Sequence, residues 1–329
     1  MRIPLSVLDL APIPKGQTAG SSFAASVALA QRAEELGYQR VWYAEHHNMP
    51  RIASSATSVL IAHVGAHTST IRLGAGGVML PNHSPLVIAE QFGTLEAMYP
   101  GRIDLGLGRA PGSDQATMYA LRRDQTSSDT FPQDVLELQA YLAGESRVPG
   151  VDAVPGKGSH VPLWILGSSL FGAQLAAALG LPYAFASHFS PQALEAAVAL
   201  YRRDFKPSAQ LDRPYVIAGV NVLAADTTSQ AQEHLAAMRR TLAVGLFGRG
   251  RTFTDDEAEQ LLRQGAAAHV DSMFTYAAVG TPHEVADYLE QFRKQADADE
   301  LITAHQAPDT ESRLRSLTLT AEAMEPVAA

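Results

Sequence analysis

The stretch "YAEHHN" sets Glu45, His46 and His47 side by side at the end of an apolar run. A carboxylate beside two imidazoles can move protons, because an imidazole with an ordinary pKa of about 6.5 both takes and gives a proton near neutrality. Successive side chains of an extended segment face opposite ways, so Trp42, Ala44 and His46 share one side and Tyr43, Glu45 and His47 the other. Parity alone leaves open which histidine meets a ligand, and the other is structural. Glu45 is a candidate to orient a catalytic His46.

A second group of residues suits an anion. "LGSS" places Gly167, Ser168 and Ser169 at the start of a helical run, where free backbone N–H groups, two hydroxyls and a positive dipole end match a phosphate monoester. Arg109, after "RIDLGLG", would supply the countercharge; the alternatives are an ion pair with Asp104 or Asp114, and serines that merely cap the helix. Gly74, Gly76, Gly77, Gly106 and Gly108 remove side chains where a flat ligand can lie on backbone, or where a barrel bends. Asn82, His83 and His188 fall on loops and are candidate substrate contacts, as is His47. His63 and His67 are spaced i, i+4 without the glutamate of a zinc motif, so a helix face and no metal site is expected. "GLFGRGRTFTDDE" (245–257) reads as a lid or as an ordinary exposed loop.

These residues need a scaffold that gathers them. Short apolar runs at 3–8, 40–44, 71–80, 102–108, 162–167, 182–187, 215–225 and 300–305 alternate with longer stretches of helical periodicity, the first ending at Gly37. Eight such units with no linker, and no GxGxxG after the first strand, favour a single-domain α/β fold of the (β/α)8 TIM-barrel type over residues 1–329 rather than an open doubly wound sheet. In a barrel the strand C-termini form one face, which brings Glu45, His46, Arg109 and Ser168 together.

Composition narrows the partners. The 329 residues are 46% hydrophobic and 18% charged, enough for a sizeable core. A net charge of −9 argues against nucleic acid and anionic membranes. With no cysteine, disulfides, thiolate metal sites and cysteine nucleophiles are excluded. "MRIPLSVLDLAPI" is too short and interrupted for a secretory signal, and no run is long enough to span a bilayer, so a cytoplasmic protein is expected.

"WYAEHHN", "RLGAGG", "PNHSPLVIAEQFGTLEAMYPGRIDLGLGRAPG" and "LGSS" together resemble the bacterial luciferase-like flavin monooxygenases, most closely the oxidoreductases carrying the "GRIDLGLGRAPG" run. The likeness spans nearly the whole chain and is strongest from Val41 to Gly112. It implies a barrel that binds reduced FMN, supplied by a separate flavin reductase, and uses O2 to oxygenate a small-molecule substrate through a flavin hydroperoxide. It assigns proton handling at the flavin to His46, a non-prolyl cis peptide against the isoalloxazine to the segment Ala75, Gly76 and Gly77, and phosphate binding to Arg109 with Gly167, Ser168 and Ser169. A homodimer is expected. Light-emitting luciferases have a reactive cysteine where this chain has Gly108, so light emission and a long-chain aldehyde substrate are not expected. Two other readings stay open: deazaflavin-dependent hydride transfer on the same fold, and flavin binding without turnover.

Overall fold

The computed structural model describes residues 3–110, 114–248 and 251–324. Its strands are β1 Leu5–Asp9, β2 Arg40–Tyr43, β3 Arg72–Met79, β4 Ile103–Gly108, β5 Leu163–Gly167, β6 Tyr183–Phe185, β7 Val216–Ala224, β8 Ala277–Gly280 and β9 Glu300–His305. The helices are α1 Ala19–Glu35, α2 Thr57–Gly65, α3 Pro85–Met98, α4 Gln115–Ala120, α5 Phe131–Ala143, α6 Leu170–Leu179, α7 Leu194–Asp204, α8 Thr228–Phe247, α9 Asp255–Leu261, α10 Ala267–Ser272, α11 Pro282–Gln295 and α12 Thr310–Ala323. Pro111 and Gly112 of the glycine-rich run, and Arg249 and Gly250 of the suspected lid, lie outside the described residues. No described helix is long and apolar enough to cross a membrane.

Eight parallel strands close into a ring in the order β1-β2-β3-β4-β5-β6-β7-β9 and back to β1. The expected barrel is therefore present. A ninth strand, β8, was not anticipated; it pairs with Asn221–Ala224 at the upper end of β7, outside the ring. Local signals set the helix ends. Thr18 caps α1 through a reciprocal bond with Ser21, and Gly37 follows the helix with φ of +74°, a conformation that costs glycine little. Gly144 and Gly180 end α5 and α6 in the same left-handed way.

Alternation along the strands sorts the side chains into two compartments. Val7, Tyr43, Leu73, Ala75 and Leu105 face outward into the main core beneath the helices. Leu8, Trp42, Ala44, Trp164, Ala184, Ile217 and Ile302 fill the lumen, with Trp42 and Trp164 meeting edge to face at 5.2 Å. Below them, at the strand N-termini, the buried Arg40 guanidinium bonds Asp104 at 2.8 Å and Glu300 at 2.9 Å, and its carbon lies 4.7 Å over the Trp164 ring. Arg72 also reaches Asp104, and Ser6 and Tyr215 donate to Glu300. Each buried charge has an opposite partner and hydrogen bonds, the condition under which such a group is tolerated inside a protein.

Candidate active site

The opposite end of the lumen is built from strand C-termini. β2 ends at Tyr43, and the chain runs on through Ala44 and Glu45 while keeping contact with its neighbours: Ala44 N–H donates to Asp9 O, and Glu45 N–H to Gly77 O at 3.3 Å. That continuation preserves the parity read from sequence. Ala44 joins the lumen, so His46 follows it on the lumen side.

Glu45 turns the other way and is 1% exposed. Its Oε1 accepts from His47 Nε2 at 2.7 Å and from His83 Nε2 at 2.8 Å, while Oε2 accepts the Met79 N–H at 3.0 Å. The expectation that Glu45 orients His46 is corrected here: its carboxylate holds His47 and His83, because residues i and i+2 of an extended segment share a face. Burial would raise the Glu45 carboxyl, but the hydrogen bonds from His83, His47 and the Met79 amide outweigh it and hold the group below the usual carboxylate range.

His46 has different company. Its Nδ1 is buried without a hydrogen-bond partner, and so is Nδ1 of His188. Burial, against the opposing pull of the Glu45 charge, keeps the His46 pKa below 6.5. Burial and the nearby His46 together take His188 down to about 4. Both rings are thus neutral near pH 7, each with one N–H to donate and one lone pair to accept. His188 reaches the mouth of the barrel because β7 has a glycine beneath it; a Cβ on Gly219 would stand 2.3 Å from His188 Nδ1. Ser187 Oγ donates to Gly219 O at 2.5 Å and Asn221 Nδ2 to His188 O at 2.8 Å, fixing the loop to that strand. Sequence reasoning missed Gly219 and Asn221; a glycine and a buried asparagine in "VIAGVNVLA" were the available signals.

The glycines divide by what surrounds them. Added Cβ atoms at Gly74, Gly77 and Gly106 would meet Asp104 O at 2.6 Å, Gly106 O at 2.7 Å and Ala75 O at 2.3 Å, so these three let β3 and β4 approach. Gly76 points at Trp42 in the lumen, whereas Gly108 has nothing closer than 3.8 Å. The Gly76–Gly77 peptide is cis, within the segment expected to carry such a bond. The Ala75 side chain packs in the outer core.

Arg109 follows β4 and pairs with neither suspected aspartate: Asp104 is held by Arg40, Arg72 and Trp42, and Asp114 accepts from Asn48 and Thr117. Its guanidinium instead lies 4.1 Å over the ring of Phe171, in the first turn of α6. Ser169 holds the N-cap position of that helix without a side-chain cap bond, leaving its hydroxyl and the first amides for a ligand. Gly167, Ser168 and Ser169 therefore stand beside a cation at a helix N-terminus, the setting in which phosphate groups bind. Phe171 went unrecognised in the sequence, where it reads as one more apolar position. Asn82 is buried and lines a small cleft with Pro81, Met118 and Arg123.

A closed parallel barrel whose strand C-termini carry buried imidazoles, with an arginine beside a helix N-terminus, has its candidate site where barrel enzymes do their chemistry. The chain belongs to the luciferase-like monooxygenase family, whose sequence profile matches residues 3–299. It is 48% identical over 328 residues to a luciferase-like monooxygenase of Escherichia coli (strain K12), covering 98% of this chain and 97% of that protein. The N-acetyl-S-alkylcysteine monooxygenase of Bacillus subtilis (strain 168) is 34% identical over 307 residues, or 87% of this chain and 88% of that one. Among solved structures, apo-MsnO8 matches with a TM-score of 0.88 at 37% identity, over 98% of each chain. The protein is an oxidoreductase of this family, as its motifs led us to expect.

Proposed function

We propose that the protein binds reduced FMN, with the phosphate between Arg109 and the N-terminus of α6, and oxygenates a small organic substrate with O2. The observation that carries this reading is the Arg109 guanidinium lying over Phe171 beside the uncapped Ser169, which pairs a fixed cation with free helix amides and a hydroxyl. The residues fit the group: a phosphate monoester needs donors and positive charge, and Asp104 and Asp114 are engaged with other residues. When bound, reduced flavin would supply the two electrons with which O2 gives one oxygen atom to the substrate and leaves the other as water. The chain's own contribution is to anchor the phosphate, offer the backbone of Gly76 and Gly77 to the ring system, and exclude water from a lumen closed by Trp42 and Trp164.

His46 moves a proton at the reacting end. Neutral at working pH, it accepts a proton and returns it, and its unpartnered Nδ1 leaves that nitrogen available. Glu45 acts at one remove, by fixing His47 and His83 at the edge of the site, where they and His188 contact substrate. A separate flavin reductase supplies the reduced cofactor. Exposed apolar side chains Val59 on α2 and Val87 and Met98 on α3 support a homodimer joined through those helices.

The test is oxygen uptake by the purified protein given reduced FMN, with candidate thioethers, ketones and phenols screened for accelerated flavin oxidation. Substrate-dependent uptake sustains the monooxygenase reading. Binding of a reduced deazaflavin with substrate reduction and no uptake would replace it with hydride transfer, and tight FMN binding without turnover would leave a carrier.

A further inference from the structure

One cluster of ligand-type side chains is not used as such by the flavin reading. Glu45 Oε1, His47 Nε2 and His83 Nε2 lie within 4.8 Å of one another, the one group of three such residues among those described. Two imidazole nitrogens converge on a single carboxylate oxygen, at 2.7 and 2.8 Å, while the other oxygen takes only the Met79 amide. A backbone bond of that kind is what orients a ligating carboxylate in metal sites.

The spacing and exposure suit an ion. With bonds of about 2.1 Å at the tetrahedral angle, ligand atoms stand about 3.4 Å apart, so the N···O separations of 2.7 and 2.8 Å would open by roughly 0.6–0.7 Å, a shift within reach of side-chain rotation. Glu45 is buried, but the His47 and His83 side chains are 18% and 28% exposed, which gives an entry path and leaves coordination positions for water. Two imidazoles and one carboxylate form the ligand set of mononuclear zinc and non-haem iron sites. The chain has no cysteine to favour a softer ion.

We propose that Glu45, His47 and His83 form a binding site for one divalent transition-metal ion, with zinc as the best-fitting probe. His46, on the lumen side, is not a ligand; the proposal shares His47 and His83 with the substrate edge of the flavin reading, and the two are separated by titrating zinc and FMN in turn. Metal in this site would tie His47 and His83 to Glu45 more rigidly than the hydrogen bonds do.

The full chain, stripped with EDTA and dialysed free of it, is titrated calorimetrically with Zn2+ at pH 7.5. One ion per chain is expected, with at least about tenfold weaker binding in Glu45→Gln, His47→Asn and His83→Asn, and unchanged binding in His46→Asn and His67→Asn. Because Glu45→Gln alters a buried group, the half-exposed His83→Asn variant decides the matter, with its fold checked by circular dichroism. Nitrogen NMR should show the His47 and His83 rings shifting on zinc addition while His63 stays put. The proposal is overturned if the wild type takes up no zinc, if His83→Asn binds it equally well, or if binding is lost in His67→Asn, which would trace it to the surface pair His63 and His67. FMN titration of the same preparations reports on the flavin reading separately.

Discussion

The Arg109 guanidinium stacks on Phe171 at 4.1 Å, which ties the end of β4 to the first turn of α6. The stack holds a planar, permanently charged group where a phosphate would meet the helix amides. Arg109→Ala should weaken FMN binding by about 1.5–3 kcal/mol, the worth of a charged hydrogen bond. Arg109→Lys should recover only part of this, because an ammonium neither stacks nor binds bidentately. Fluorescence titration measures both, and unchanged affinity in a folded Arg109→Ala protein would remove the residue from the site.

His46→Ala should bind flavin normally yet oxygenate substrate about 10²–10⁴-fold more slowly, with hydrogen peroxide accumulating in place of product. Because burial holds the His46 pKa below 6.5, the wild-type rate should stay level down to about pH 6.5 and fall only below it. A profile that bends well above pH 7 would assign the proton to another group.

His47→Ala should chiefly cost stability, about 1–3 kcal/mol, by removing one of two imidazole donors from a buried carboxylate. The sign with pH follows from the lowered Glu45 carboxyl: its stabilisation is complete above the ordinary carboxylate value of 4.5 and fades as pH drops through the lower folded value. In His47→Ala the folded value should move back toward 4.5, so the fading should be smaller and end at higher pH. Urea melts at several pH values test this, and a catalytically dead but stable His47→Ala would mean that the two histidines had been assigned in reverse.

His305 makes a separate prediction, about stability. It is buried on β9, hydrogen-bonded to Ser316 Oγ at 2.9 Å and Thr303 Oγ1 at 3.1 Å, and burial with the nearby Arg313 charge takes its pKa to about 3. The unfolded chain binds a proton there below about pH 6.5 and the folded chain does not, so stability is lost as pH falls from 6.5 toward 3, by up to about 1.4 kcal/mol per unit. His305→Asn should flatten that slope between pH 6 and 4 in denaturant melts, and an unaltered slope would show that His305 is protonated in the native protein.

The barrel was legible because parallel strands buried on both faces leave short apolar runs such as "PLWILG" between helical repeats, and each ring strand has one. β8 was not, since "AAVG" is four residues long and holds a single β-branched side chain. The loop-to-helix turn that opens α6 could be read locally, as its parts are contiguous in "LGSS". Parity separated His46 from His47, and the same rule, applied one step further, would have paired Glu45 with His47. What sequence could not show were meetings across the ring. His188 reaches Gly219 only because Ser187 bonds a strand 32 residues onward, and Arg109 meets Phe171 through the register of β4 on β5.

The charged floor of the barrel has a consequence for how the chain is made. Arg40 and Arg72 are matched there by Asp104 and Glu300, and those four residues come from β2, β3, β4 and β9. As the polypeptide leaves the ribosome, three of the four are available early, carrying one surplus positive charge that cannot be enclosed without cost. Glu300, which neutralises it, emerges near the end of the 329 residues. Nascent chains stalled short of residue 300 should therefore remain protease-sensitive along β2 and β3, with protection arriving abruptly once β9 is free to dock.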